Sequence, residues 1–261
     1  MKLVKLLALA TLFVLAACSN STMGTVSFSL TARKAAAPAP SAALSGGGAP
    51  APSVTAAGDS TLIVLGNDSV IVRSAQLVLR KIELKRSDVA SCDAIVGNDD
   101  CEEFETGATL VSLPLGSAVI AQQVSVPVPP GTFSALEFEI HKPSSSEDAA
   151  FIAANPDFAT ISIRVTGTYS QAGTRSQFTF TSDVNQSQES VLPSPVTVKE
   201  GQTLNVTLRA DLSGWFLNAA KTALVDPASA NKGQPNEGVV VNNIQNSFKA
   251  FEDDDHDGLE G

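Results

Sequence analysis

The sequence predicts an all-β sandwich, and three observations predict it. Apolar and polar residues alternate with a period of two in one short segment after another, as half-buried strands require. Glycine and proline separate those segments, with Pro129-Pro130-Gly131 and Ala172-Gly173 as the clearest turns. Helical apolar stripes are few and short. Eight or more short strands punctuated in this way fit two packed sheets.

In chain order, the first strand spans 24–31, where Val26, Phe28 and Leu30 alternate with Thr25, Ser27 and Ser29. Residues 32–59 are almost entirely Ala, Pro, Ser and Gly, and too little can be buried there to offset ordering, so a flexible insertion is expected. If the first strand belongs to a tether, the domain begins near Ser60; the sandwich itself is expected over 60–251. Segment 61–65 is apolar. Within 74–86, Leu77 and Leu79 are followed by Ile82 and Leu84, an odd spacing that predicts a β-bulge. Further strands are expected at 109–113, 119–128 and 133–141, the last with Phe133, Leu136, Phe138 and Ile140 in phase. Segments 161–169 and 176–181 read as a hairpin closed at Ala172-Gly173, and 203–212 alternates Leu204, Val206, Leu208 and Ala210.

Two or three short helices complete the expectation. Segment 147–154 forms two turns capped by Ser146, and 213–220 forms another short helix. The longest lies near the C-terminus at 238–251, with Val240, Ile244, Phe248 and Phe251 along one stripe. Covering a sheet is the usual task of such a stripe, and docking a partner is its sharper alternative. The sandwich is expected to be of Greek-key, immunoglobulin- or transthyretin-like type, followed by an acidic tail at 252–261.

Residues 1–17 have the three parts of an export signal: Lys2 and Lys5, an apolar stretch from Leu6 to Leu15, then Ala16 and Ala17. The apolar stretch is about half of what a membrane-crossing helix needs. Leu15-Ala16-Ala17-Cys18 resembles the lipobox of bacterial lipoproteins, in which the cysteine becomes the lipidated N-terminus; residues 18–23 then carry the anchor. The competing reading is an ordinary cleavage site with a chance cysteine beside it. Two or three acyl chains attach far more durably than one, at about 0.8 kcal/mol per buried methylene. Ser19 follows the cysteine where Asp would favour inner-membrane retention, so the resemblance implies the outer membrane or cell surface, with the domain on its periplasmic or extracellular face.

Removing Lys2 and Lys5 leaves 15 cations against 27 carboxylates, a formal charge near −12 for the processed chain. Nothing supplies the basic footprint that nucleic-acid binding needs. Of the three cysteines, Cys92 and Cys101 remain as a pair in an oxidising compartment, flanking a polar loop. They are expected to form a disulfide, and closing that loop contributes about 2.7 kcal/mol on a chain-entropy account. A zinc pair without a nearby histidine is a poor alternative, and free thiols are another.

Several segments together resemble a family of exported bacterial lipoproteins known as domain of unknown function 4382. They are the strand Gly24 to Thr31, Leu77 to Lys85, the turn Val126 to Phe133 leading into Leu136 to Ile140, Phe178 to Asp183, and Leu208 to Trp215. The resemblance implies an exported β-sandwich and supplies no catalytic residues. The Ala/Pro insertion and the helical C-terminal third depart from the family's short core.

The most specific local motif is Asp253-Asp254-Asp255-His256-Asp257-Gly258, the first half of a calcium loop with Asp253, Asp255 and Asp257 as ligands and Gly258 at the turn. The bidentate Glu of such a loop would fall beyond Gly261, and a solvated acidic tail is the competing reading. No other cofactor is implied. Catalysis has little support: His141 and His256 are the only histidines, and no nucleophile elbow or phosphate-binding glycine loop occurs. Glu137 and Glu139 fall on the outward phase of their strand. For ring stacking there are only Trp215, beside Phe216 and best read as core, and Tyr169, read as exposed near a turn. The sequence therefore points to a non-catalytic envelope lipoprotein attached to membrane through its anchor. Its further protein or glycan partner is unnamed by the residues, and a calcium-assisted surface module is the alternative.

Overall fold

The computed structural model describes residues 23–32, 51–87, 107–116 and 121–253. It is an all-β sandwich of two sheets. The strands are β1 (Gly24–Thr31), β2 (Ser53–Ala57), β3 (Ser60–Leu65), β4 (Asp68–Arg86), β5 (Thr109–Ser112), β6 (Ala121–Val128), β7 (Gly131–Ile140), β8 (Ile163–Gln171), β9 (Thr174–Ser182), β10 (Gln186–Val198), β11 (Thr203–Ala210) and β12 (Phe248–Glu252). Two short helices, α1 (Ala149–Ala154) and α2 (Glu237–Gln245), accompany them. Among the described residues no helix is long and apolar enough to cross a membrane.

The smaller sheet has the order β12-β11-β1-β6. Its β1 runs parallel to β11, from Thr25↔Thr203 to Thr31↔Arg209, and antiparallel to β6. The first strand is thus a central strand of the domain and not part of a tether. The larger sheet is organised by β4, whose 19 residues serve two sets of neighbours. Its first half pairs with β3 and β8, and its second half with β5 and β7, beyond which lies β10. The expected bulge is present as a register shift between Arg80 and Glu83, and it lets Leu77, Leu79 and Ile82 all face the core. Inward residues of both sheets, among them Val26, Phe28, Leu30, Leu77, Phe138, Ile163, Phe180, Val206 and Leu208, form one apolar cluster.

Several expectations are corrected. The flexible segment placed at 32–59 runs too far, because Ser53–Ala57 forms the exposed edge strand β2 against β3. Strand β10 carries no clean apolar run and holds Pro193 and Pro195. Its register shift between Val191 and Val196 takes up both prolines at the sheet's edge, where missing N–H donors cost least. Helix α1 begins two residues later than 147 and Ser146 does not cap it; the Asp148 carboxylate instead accepts the Ser144 N–H at 2.8 Å. Segment 213–220 is not an α-helix. A single 3₁₀ turn, Leu212–Gly214, is capped by Asp211, and the chain then extends to the bridge Leu217↔Leu224.

The C-terminal helix expected over 238–251 ends at Gln245. Two side chains add second bonds to carbonyls of its last turn that already accept a backbone N–H: Asn246 Nδ2 donates to Asn242 O at 2.8 Å, and Ser247 Oγ donates to Ile244 O at 2.6 Å. The chain then enters β12. Phe248 faces the core, edge-on to Phe138 with centroids 5.4 Å apart, while Phe251 points to the opposite face of the sheet. The acidic tail placed at 252–261 likewise starts late, since Glu252 closes β12 and Asp253 is buried.

Candidate binding cleft

Where β11 ends and β12 begins, the Leu212–Gly214 turn, the Asn218–Ala223 turn and the C-terminal end of α2 surround a cleft of about 590 Å³. That is the size range of small-ligand sites. Arg209, Lys221 and Lys249 line it together with Asn242, Asn243 and one carboxylate, Asp211. Three cations converge here in a chain whose formal charge is −10.

Local sequence explains each placement. Arg209 and Lys249 lie on the outward phase of β11 and β12 and are register partners, so two cations stand directly opposite one another across the ladder. Phe251 sits diagonally from Arg209, which places its guanidinium carbon 5.4 Å from the ring centroid. Lys221 comes from the Asn218–Ala223 turn. Asn218 Oδ1 accepts the Thr222 N–H at 2.9 Å, and the Lys221 N–H bonds Asn218 O at 2.9 Å. Lys221 itself has φ +57°, a left-handed conformation that costs a non-glycine residue free energy and is often held at binding sites.

The floor is rigid. Trp215 is fully buried, and its Nε1–H donates to Ser247 Oγ at 2.8 Å. Asn243 Nδ2 donates to Leu217 O at 2.8 Å and to Trp215 O at 3.2 Å, tying α2 to the extended segment beneath it. Asp211 Oδ1 accepts the Ser213 N–H at 2.9 Å, so this carboxylate is partly committed to its own turn. Such an arrangement can hold an anionic group by charge and hydrogen bonding.

The residues singled out in the sequence lie elsewhere. Cys18, Cys92, Cys101, Asp255, Asp257 and Gly258 fall outside the described residues. Asp253 is 2% exposed, and its Oδ2 accepts the Thr207 hydroxyl at 2.7 Å on the outward face of the smaller sheet. Among the described residues no three His, Cys, Asp or Glu side chains converge as a metal set. Glu137 bonds Lys85 at 2.7 Å, and Glu139 accepts from Ser187 at 3.3 Å, both on the outer face of the larger sheet. Hydrogen bonds from Lys85 to Glu137 and Glu189 hold its ammonium pKa above the ordinary lysine value. Trp215 and Phe216 are core residues, as their spacing suggests. Tyr169 is buried instead of exposed, its hydroxyl donating to Leu224 O at 3.4 Å; burial first, then Asp68 and Asp226, raise its pKa.

The cleft cations leave almost no trace in the sequence. Arg209 looks like any outward strand residue, while Lys221 and Lys249 adjoin or fall within segments whose local pattern suggests helix. No family model, curated protein or solved structure matches this chain.

Proposed function

We propose that this chain is a non-catalytic cell-envelope lipoprotein, held to a bacterial membrane by acyl chains on Cys18 and serving as a binding module. The observation that carries the reading is Leu15-Ala16-Ala17-Cys18 at the end of a basic-then-apolar leader, with the first core strand starting at Gly24. Only five residues separate the acylated position from β1, so the sandwich is held close to the lipid surface. Ser19 favours the outer membrane, and the likeness to the domain of unknown function 4382 family belongs to the same proposal. The binding role rests on the cationic cleft, whose lining includes several hydrogen-bond donors.

The anchor is tested by mass spectrometry of the N-terminal peptide from membranes of a bacterial host expressing the whole chain. A mature chain beginning at Cys18 with a diacylglyceryl thioether, with or without a further amide-linked acyl group, is expected. A free thiol there, or a mature N-terminus at another residue, would count against the proposal.

A further inference from the structure

We infer that β2 is an open sheet edge that pairs antiparallel with β2 of a second copy of this chain, joining two larger sheets about a two-fold axis. The inference goes beyond the anchoring reading and does not depend on acylation of Cys18. Ser53–Ala57 ends the larger sheet. It pairs with β3 in an unbroken register from Ser53↔Val64 to Ala57↔Ser60, and among the described residues no further strand lies beside it. Ala57 and Ser60 flank a two-residue turn, so they form a hydrogen-bonded pair, as do Thr55↔Leu62 and Ser53↔Val64. The alternate residues, Val54 and Ala56, therefore turn their N–H and C=O groups outward.

The other described edges are guarded. β10 carries Pro193 and Pro195 across a break in its register. The β9 edge is taken by Asn231, whose Oδ1 accepts the Thr181 N–H at 2.8 Å and whose Nδ2 donates to Thr179 O at 3.1 Å. On β12, the Ala250 N–H donates to Ser190 Oγ at 2.6 Å. β6 holds Pro127 and a register shift, and β5 has only four residues. β2 has no proline, no charged residue and no bulge.

The edge itself selects its occupant. With Val54 and Ala56 supplying the bonds, the two-fold axis falls on Thr55, so Thr55 stands opposite Thr55 of the second copy and Val54 opposite Ala56. Directly opposed threonines are a favourable cross-strand pair. In a chain of formal charge −10, this contact sets no like charges against one another. Thr55 and Ala56 point to opposite faces of the strand and both are exposed, so no pocket beside the edge reads the side chains of a foreign peptide. A ladder this short buries less than the roughly 1,200 Å² of a stable interface. Pairing is therefore dynamic, and cross-linking is the measurement suited to it.

The test is oxidative cross-linking in whole cells that express the full chain. Thr55→Cys places the new thiols in a close, non-hydrogen-bonded cross-strand pair, within reach of a disulfide. It should give at least fivefold more disulfide-linked dimer than Ser176→Cys, an exposed control on β9. Mass spectrometry should find two copies of the peptide joined through position 55. Adding Ala56→Pro removes an N–H that faces away from β3, and it should reduce the dimer at least tenfold. Adding Ala56→Lys keeps that N–H and guards the edge with charge; it should reduce the dimer about fivefold. Urea midpoints of both variants show that the fold is retained. Dimer no more abundant than in the control, dimer indifferent to both Ala56 substitutions, or position 55 joined to a different protein or to another cysteine of the chain would each overturn the inference. None of these outcomes bears on whether Cys18 is acylated.

Discussion

At Gly167 the backbone of β8 passes so close to β4 that a Cβ would lie 2.0 Å from Ile71 O and 2.9 Å from the Phe178 ring. The first neighbour is main chain and cannot rotate away. Beside it, the β4–β8 register shifts between Val72 and Ser74. Gly167→Ala must therefore push two paired strands apart or displace Phe178, which packs edge-on against Phe216 with centroids 5.7 Å apart. Overpacking of this kind costs about 1–3 kcal/mol. Urea unfolding should show the unfolding free energy falling by that amount through a lower midpoint at unchanged slope, and an unaltered midpoint would refute the close approach. A glycine inside an alternating strand does signal a bulge or a close contact, and here it marks both.

At the level of elements, the passage from α2 to β12 is decided by side chains that bond backbone. Ser247 accepts from buried Trp215 Nε1 while donating to Ile244 O, so one hydroxyl ends the helix and satisfies the indole. Ser247→Ala should cost about 1–3 kcal/mol, because a buried N–H is left without its partner. Ser247→Thr, which keeps the hydroxyl, should recover most of it; chemical denaturation of the pair measures the difference, and equal losses would show that the hydroxyl is irrelevant. This junction also shows why the last segment misleads as a sequence. Val240, Ile244, Phe248 and Phe251 satisfy a helical stripe, yet Phe248 with Ala250 on one face and Phe251 on the other satisfies a strand equally well. Pairing with β11 settles the choice, and that partner lies some forty residues away. Strands with strict alternation, such as β1, β8 and β11, were legible because their own residues declare the buried face. The parallel pairing of β1 with β11 was not, since no local pattern encodes which distant strand fills the neighbouring position. The cleft was hidden for the same reason: Arg209, Lys221 and Lys249 meet only through the β11–β12 register and the turn at 218–223.

For the whole molecule, protonation sets the pH range over which these elements stay together. Asp183, just after β9, accepts a hydrogen bond from Lys232 in the loop before α2, and that ammonium holds its pKa below the usual carboxylate value. A depressed carboxylate contributes stability that is present above its unfolded pKa, about 3.9, and is lost as pH falls through the lower folded value. On the alkaline side the direction reverses. Lys85 and Tyr169 both hold their protons more tightly in the folded chain, so their contributions are complete below about pH 10 and are lost as pH rises through their folded values. Asp183→Asn removes this acid-side contribution, and with it the hydrogen bond that raises the Lys232 pKa. Urea midpoints measured from pH 7 to pH 2 should show this variant less stable than the native chain at neutral pH, with the gap closing below about pH 4 as the native carboxyl also becomes neutral. A gap that persists unchanged at pH 2 would mean that the substitution acts through packing and that the Lys232 ion pair is not its cause.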